Sequence, residues 1–159
     1  KDFAIAHGLS GPNVRATGLS FDTRKNSPYC GYQKYNFDII VGQNGDSFDR
    51  YFVRMKEIEQ SCSIIRQALD ALPDGPILTP LPRIFKVPRG ESYAAVEGPR
   101  GAFGVYIISD GEKYPQRVRF RTPSFATLNL FPKILENVPL SDVASIISSF
   151  DIMVSEVDR

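Results

Sequence analysis

The chain is 159 residues long, 42% apolar and 23% charged, the length and balance of one globular unit able to bury a core. Its net charge of +1 advertises neither a nucleic-acid surface nor an acidic tail, so no nucleic-acid partner is expected. No apolar run reaches the roughly 18 residues of a membrane span.

The start, KDFAIAHGLSG, has a lysine but no sustained apolar stretch, so a secretory or transit leader is expected to be absent or already removed. Up to residue 45 the chain is broken by HGLSGPN, GLS and NSPYCGY. Between these turns VRATGLSFDTR and YNFDIIVG read as short extended segments, the second ending in QNGD. Residues 1–45 are therefore expected to be a loop and short-strand region with little core of its own.

Residues 46–73 carry the strongest local signal. Asp46 suits a helix N-cap, and Asp49 places a carboxylate in the first turn, where the helix dipole favours it. Phe48, Tyr51, Phe52, Met55, Ile58, Cys62, Ile65, Leu69 and Leu72 recur at steps of three and four, and Pro73, Gly75 and Pro76 stop the run. The spacing predicts a long helix with this stripe packed inward and Arg50, Arg54, Lys56, Glu57 and Glu59 on a solvated face. The stretch 74–91 has four further prolines, which forbid a long helix or a central strand.

Residues 92–122 read as β-rich: two runs around Gly98-Pro99-Arg100-Gly101 make a hairpin, and RVRFR makes a third strand. That strand alternates Val118 and Phe120 on one face with Arg117, Arg119 and Arg121 on the other. Residues 124–150 predict two short helices, FATLNLFPKILEN and LSDVASIISSF, the second capped by Ser141 or Asp142. The fold class is α+β: one long amphipathic helix, short helices and a small antiparallel sheet. The end, 151–159, sets Ile152, Met153, Val154 and Val157 among Asp151, Glu156, Asp158 and Arg159. Apolar residues resist exposure and charges resist burial unless paired, so this tail is expected either to lie on a surface or to be inserted into something.

Little conventional chemistry survives inspection. Cys30 and Cys62 are isolated and His7 is the sole histidine, so no Cys/His metal site is expected, and both thiols are read as unpaired in a reducing compartment. A Cys–His or Ser–His–Asp arrangement would need His7, which no spacing supports. GQNGD and DGEKYP are turn chemistry rather than a phosphate cradle. The arginines of RVRFR are read as ion-pairing with a partner rather than gripping single-stranded nucleic acid. What remains is Arg100, held at a Pro-Arg-Gly tip, together with Asp151, Glu156, Asp158 and Arg159.

Five stretches in order, GLSGPNVRATGLSFDTRKNSPY, GDSFDRYFVRMKEIEQSCSIIRQAL, YAAVEGPRGAFGVYIISDG, RTPSF and LSDVASIISSFDIMVSEVDR, resemble the hydrogenase-large-subunit-like subunit of respiratory complex I, the NADH:quinone oxidoreductase (the forty-nine-kilodalton subunit, called the D-type subunit in bacteria). The resemblance spans nearly the whole chain but only the C-terminal part of the family. It implies the C-terminal portion of a nickel-iron-hydrogenase-large-subunit-like fold, with the N-terminal half supplied as a separate chain or the sequence partial. It also implies a tail threaded into the subunit beside a quinone chamber. Nickel-iron hydrogenases carry a C-x-x-C at that place, and this tail has no cysteine, so metal ligation there is not expected.

By the same resemblance Arg100 stands at the Lys or Arg of the family's E-x-P-K/R-G motif as part of the chamber's charge network, Asp151, Met153, Glu156 and Arg159 fall on positions tied to quinone reduction, and Asp151, Glu156 and Arg159 form a buried charge network. No catalytic residue, metal or redox cofactor is assigned to the chain itself; quinone is the implied substrate, and the iron–sulfur cluster is expected on a neighbouring subunit. The implied partners are the N-terminal half, the iron–sulfur and quinone-module subunits, and the membrane-arm subunit at the quinone entrance. The implied place is peripheral, on the matrix side of the mitochondrial inner membrane or, alternatively, the cytoplasmic side of a bacterial membrane, and the chain alone is expected to be inactive. Three departures stand out: Ala102 replaces the glutamate usual after the Pro-Lys/Arg-Gly, Ser155 replaces glycine before E-V-D-R, and 74–91 is shorter than typical. The N-terminal half that the chain lacks and Ala102 leave open a different class of function, a non-catalytic assembly or scaffold relative.

Overall fold

The computed structural model describes residues 1–80, 82–83 and 85–158. The chain starts with a short helix, α1 (Asp2–Ala6); where VRATGLSFDTR was expected to be extended, the backbone makes α2 (Pro12–Arg15) and α3 (Thr23–Asn26), and after a 3-10 turn at Tyr32–Lys34 the segment YNFDIIVG runs on without joining a strand. The local chemistry explains them. Pro12 sits in the first turn of α2, where its missing N–H costs nothing, and the Asp22 side chain accepts from the Arg24 amide to cap α3. Nor is this region poor in core: Ala4, Val14, Ala16 and Phe37 are all buried.

The long helix α4 (Ser47–Asp70) is capped by Asp46, whose carboxylate accepts from the Asp49 amide at 2.8 Å. Asp49 in turn accepts from the amides of Asn44, Gln43 and Gly45 at 2.5, 3.0 and 3.2 Å, which holds its carboxyl below the usual carboxylate range. The amide cradle of the Gln43–Gly45 turn is thus filled by the protein's own carboxylate.

The face that α4 turns inward corrects the expectation from its periodicity. Its buried positions are Asp49, Arg50, Val53 and Ile64, whereas Phe48, Tyr51, Phe52, Met55, Ile58, Cys62, Ile65 and Leu69 of the stripe are exposed, as is Leu72 just beyond the helix. The core side meets α2 and α7 (Leu140–Phe150), and the interlocked guanidinium and carboxylate groups described below take the place of a greasy stripe. Phe48, Tyr51, Met55, Ile58, Cys62, Ile65, Leu69 and Leu72 alternate by three and four over the helix, the a/d spacing with which one helix receives another.

The sheet consists of β1 (Gly90–Gly98), β2 (Gly101–Ser109) and β3 (Arg117–Arg121), antiparallel in that order. Its register sets Ala94 opposite Val105, Val96 opposite Phe103, Ile107 opposite Val118 and Val105 opposite Phe120, so one face is apolar and carries the exposed Val96, Ile107, Val118 and Phe120. The other face carries Glu97, Tyr106 and the three arginines. Of these, Arg121 turns back onto the N-terminal region, donating to Ser10 Oγ, the Gly8 carbonyl and the Ala102 carbonyl.

After β3 come α5 (Pro123–Leu128) and α6 (Phe131–Ile134), then α7 and the single turn α8 (Val154–Val157). Helix α7 begins one residue before the expected cap: among the described residues no side chain caps it, and Ser141 donates to its neighbour Asp142 instead. Leu130 and Phe150 are buried, as are Val14 and Val53, and Phe131 lies edge-on to Phe150 at 5.7 Å. Within this chain the tail is only partly covered: Ile152 and Val157 are half-buried, while Met153 and Val154 are exposed.

Candidate functional site

Strands β1 and β2 meet in a two-residue loop, Pro99-Arg100, between the paired Gly98 and Gly101. The tip is seated on the Ser10–Gly11 turn, and the Ala102 amide donates to Ser10 Oγ at 3.0 Å. Both glycines of this contact have positive φ, and a Cβ on Gly11 would strike the Gly101 backbone while one on Gly101 would strike Ser10. The hairpin therefore presents Arg100 from a fixed place.

Arg100 reaches across to the far end of the chain. Its Nε donates to the Asp151 carbonyl at 2.8 Å, its Nη2 to Asp151 Oδ1 at 3.3 Å, and its Nη1 lies 3.5 Å from Glu156 Oε1. Glu156 Oε2 accepts from Ser124 Oγ at 2.5 Å, and the Met153 amide points at the same hydroxyl at 3.4 Å. So α5, the hairpin tip and the tail converge on one ion cluster. Arg100 is largely covered, with its side chain 17% exposed, while the Asp151 side chain is 44% exposed and opens to solvent.

Of the five residues singled out from the sequence, Arg100, Asp151 and Glu156 come together in this cluster. Met153 contributes its backbone amide there while its side chain stays exposed, and Arg159 lies outside the described residues. Asp151 adopts the left-handed conformation, φ 52 and ψ 53, as the cap of α7. The carbonyl and carboxylate of one residue can then face one guanidinium.

A second and more deeply buried network went unrecognised in the sequence. Arg15 is 1% exposed. Its Nε donates to Glu57 at 2.6 Å, its Nη1 to Glu97 at 2.7 Å and to the Phe21 carbonyl at 3.0 Å, and Asp22 stands 3.6 Å away. Arg24 clasps Asp22 through Nε and Nη2 at 2.9 and 2.6 Å, and Tyr29 accepts from the Glu97 amide at 2.8 Å. Burial works against the charge on Arg15, but Glu57 and Glu97 outweigh it and leave its pKa raised. Burial likewise opposes ionisation of Asp22, and the hydrogen bonds from Arg24 overcome it, so that its carboxyl is depressed. One sequence signal was present: Glu97 stands in the same E-G-P-R-G run that drew attention to Arg100.

A cavity of about 400 Å³ joins the two networks, lined by Arg15, Arg54, Glu57, Glu97, Pro99 and Asp151. The charges around it nearly balance, so the arrangement can hold an ionised pair in place and present one carboxylate, Asp151, toward an open side. Among the described residues no group of three or more His, Cys, Asp or Glu side chains stands where a metal ion could be held. Cys30 and Cys62 are free and exposed. Nor is any described helix long and apolar enough to cross a membrane.

Known proteins resemble this chain in sequence and in fold. It is 47% identical over 156 residues to the D-type subunit of the NADH-quinone oxidoreductase of Bacillus mycoides, covering 98% of this chain and 43% of that protein. The corresponding subunit of the Geobacillus thermodenitrificans NADH-quinone oxidoreductase is 49% identical over 159 residues, covering 99% of this chain and again 43% of the relative. This chain therefore spans less than half the length of those relatives. A solved structure of the membrane-bound sulfane sulfur reductase, an archaeal respiratory membrane complex, superimposes with a TM-score of 0.92 at 41% identity, over 99% of this chain and 44% of that one. The family model described as the 49 kDa subunit of respiratory-chain NADH dehydrogenase matches residues 1–85 and 81–159, and the chain belongs to that family.

Proposed function

We propose that this chain forms part of the quinone-reducing module of an NADH:quinone oxidoreductase and lines the quinone chamber with the Arg100–Asp151–Glu156 cluster. The observation that carries the reading is the cluster itself: a fixed, mostly covered guanidinium, two carboxylates and the exposed apolar side chains of Met153 and Val154 at one spot, in a member of this family. A quinone headgroup needs apolar walls and gains negative charge as it is reduced, and a cation already held in place stabilises that charge without reorganising. Arg100 supplies the cation, and Met153 and Val154, with Ile152 behind them, supply wall. Electrons arrive from an iron–sulfur cluster on a neighbouring subunit, and reduction is coupled to proton translocation by the assembled complex, so the chain alone is inactive.

The partners follow from what is uncovered. The a/d seam on the outer face of α4 and the apolar face of the sheet are expected to be covered by the remainder of the subunit, the part of the relatives that this chain does not span. The same remainder would complete the hydrogenase-like fold, and iron–sulfur and membrane-arm subunits would meet the tail. Bacterial relatives favour the cytoplasmic face of a bacterial membrane over the mitochondrial matrix as the setting.

The test is to tag this chain in its own cell, solubilise the membranes in mild detergent and purify. The expected product contains the remainder of the subunit and iron–sulfur subunits and reduces a short-chain quinone analogue with NADH. Recovery without oxidoreductase subunits would move the chain to the scaffold class. A purified complex that reduces sulfane sulfur but not quinone would give it the activity named for the archaeal relative instead.

A further inference from the structure

Two guanidinium groups of α4, one buried and one half-buried, have no carboxylate partner within salt-bridge distance among the described residues. Arg50 and Arg54 both lean on the C-terminal turn of α7. Arg54 Nη1 donates to the Ser149 carbonyl at 2.6 Å and its Nη2 to Asn13 Oδ1 at 3.1 Å, while its buried Nε has no hydrogen-bond partner among the described residues. Asn13, 3% exposed, uses its amide nitrogen to donate to the Phe150 carbonyl at 3.2 Å. Arg50 donates to Ser149 Oγ at 2.9 Å and lies over the Phe150 ring at 4.0 Å. The next carbonyl, that of Asp151, accepts from Arg100.

Three successive carbonyls at the end of α7 are thus taken by Arg54, Asn13 and Arg100, at the negative end of the helix where cations belong. A helix end free to choose would fray, or pass through glycine, because a non-glycine residue held at φ 52 is strained. Here residue 151 is an aspartate, and it stays in that conformation because the preceding turn is gripped from α4 and α2. The grip also sets where the Asp151 side chain goes. Burial lowers the pKa of Arg54, and of its charged neighbours Asp151 most strongly supports its charge.

From this geometry we infer that Arg54 and Asn13 are positioning residues, which lock the α7 terminus and so aim Asp151 at Arg100. This rests on the proposed quinone-site reading and sharpens it: the orientation of the site's carboxylate is set from α4 and α2, outside the tail and the hairpin. Groups that face Arg54 from every packed element are Asn13 and Arg15 from α2, Glu57 and Arg50 from its own helix, Ser149 and Asp151 from α7 and its cap, and Arg100 from the hairpin.

The test uses the assembled complex with Arg54→Ala, Arg54→Lys and Asn13→Leu, assayed with a short-chain ubiquinone analogue, beside Asp151→Asn as reference. Loss of a charged hydrogen bond to a positioning contact is expected to raise the KM for the analogue about tenfold in Arg54→Ala and Asn13→Leu. NADH oxidation with an artificial acceptor upstream of quinone should stay unchanged, and Arg54→Lys should recover part of the loss. In a double-mutant cycle, Arg54→Ala should add little on top of Asp151→Asn. If Asp151→Asn changes KM and the Arg54 and Asn13 variants do not, the positioning role is wrong while the site reading stands. If Asp151→Asn itself changes nothing, the site reading has failed. A fall in both activities together, with no rescue by lysine, would reduce Arg54 to a folding contact and overturn the inference.

Discussion

Replacing Arg15 with methionine nearly keeps the length of the side chain and removes its charge, and the surrounding groups determine what that exposes. Glu57 and Glu97 lose donors at 2.6 and 2.7 Å and Asp22 loses a cation at 3.6 Å, in a pocket where the Arg15 and Glu97 side chains are 2% and 3% exposed. A unit-charge pair 4 Å apart is worth about 4 kcal/mol at an effective dielectric near 20, and desolvation offsets part of it. The greater cost comes from the carboxylate left behind: removing one member of a buried pair destabilises by about 3–5 kcal/mol. Arg15→Lys should cost less, since one ammonium can meet one carboxylate but not the fork that Glu57, Glu97 and the Phe21 carbonyl require. Hydrogen exchange of the α2, α4 and β1 amides in the assembled complex reads the loss. Exchange should accelerate by about two to three orders of magnitude in Arg15→Met. Adding Glu97→Gln should restore part of the protection, because the second change removes a stranded charge. Acceleration below about fivefold, or a double variant worse than the sum of its parts, would refute the hub role given to Arg15.

Asp22→Asn should flatten the acid limb of stability. The depressed Asp22 carboxyl contributes stability above its ordinary value of 3.8, and that contribution is lost as pH falls through the lower folded-state value. An acid titration of the wild type followed by exchange at α3 should therefore show a transition that the asparagine variant lacks. On the outer face of α4, Ile58→Glu or Ile65→Glu should shift the stability of this chain's own packing by only about 0.5 kcal/mol, since both side chains are already exposed. The same changes should prevent incorporation into the complex, read as loss of co-purification with the remainder of the subunit; normal incorporation would mean that the seam is solvent-facing in the assembly.

How much of this was legible in the sequence depended on whether the signal was local. The long helix announces itself through the Asp46 cap and the proline stop, and the hairpin through Gly98-Pro99-Arg100-Gly101, because caps and turns are decided by residues a few positions apart. The direction the helix faces is not local. An apolar stripe normally means a core, but here the inner face uses Arg50, Arg54 and Glu57, and a sequence pattern cannot say which of two faces its own chain covers. The first forty-five residues looked poor in core because their buried side chains sit in turns too short to show a period. The sequence could set Arg100 beside the charges of the tail but not pair it with Asp151, because that contact bridges fifty-one positions and depends on a left-handed aspartate.

The cluster at the hairpin tip is proposed to serve quinone reduction. Its most direct measurement compares quinone reductase rates of the complex carrying Asp151→Asn or Arg100→Met with NADH oxidation by an acceptor that bypasses the quinone. Quinone reduction should fall by about tenfold or more in both variants, with bypass activity and subunit content intact. Unchanged quinone reduction in fully assembled variants, or an equal loss of both activities, would contradict the claim.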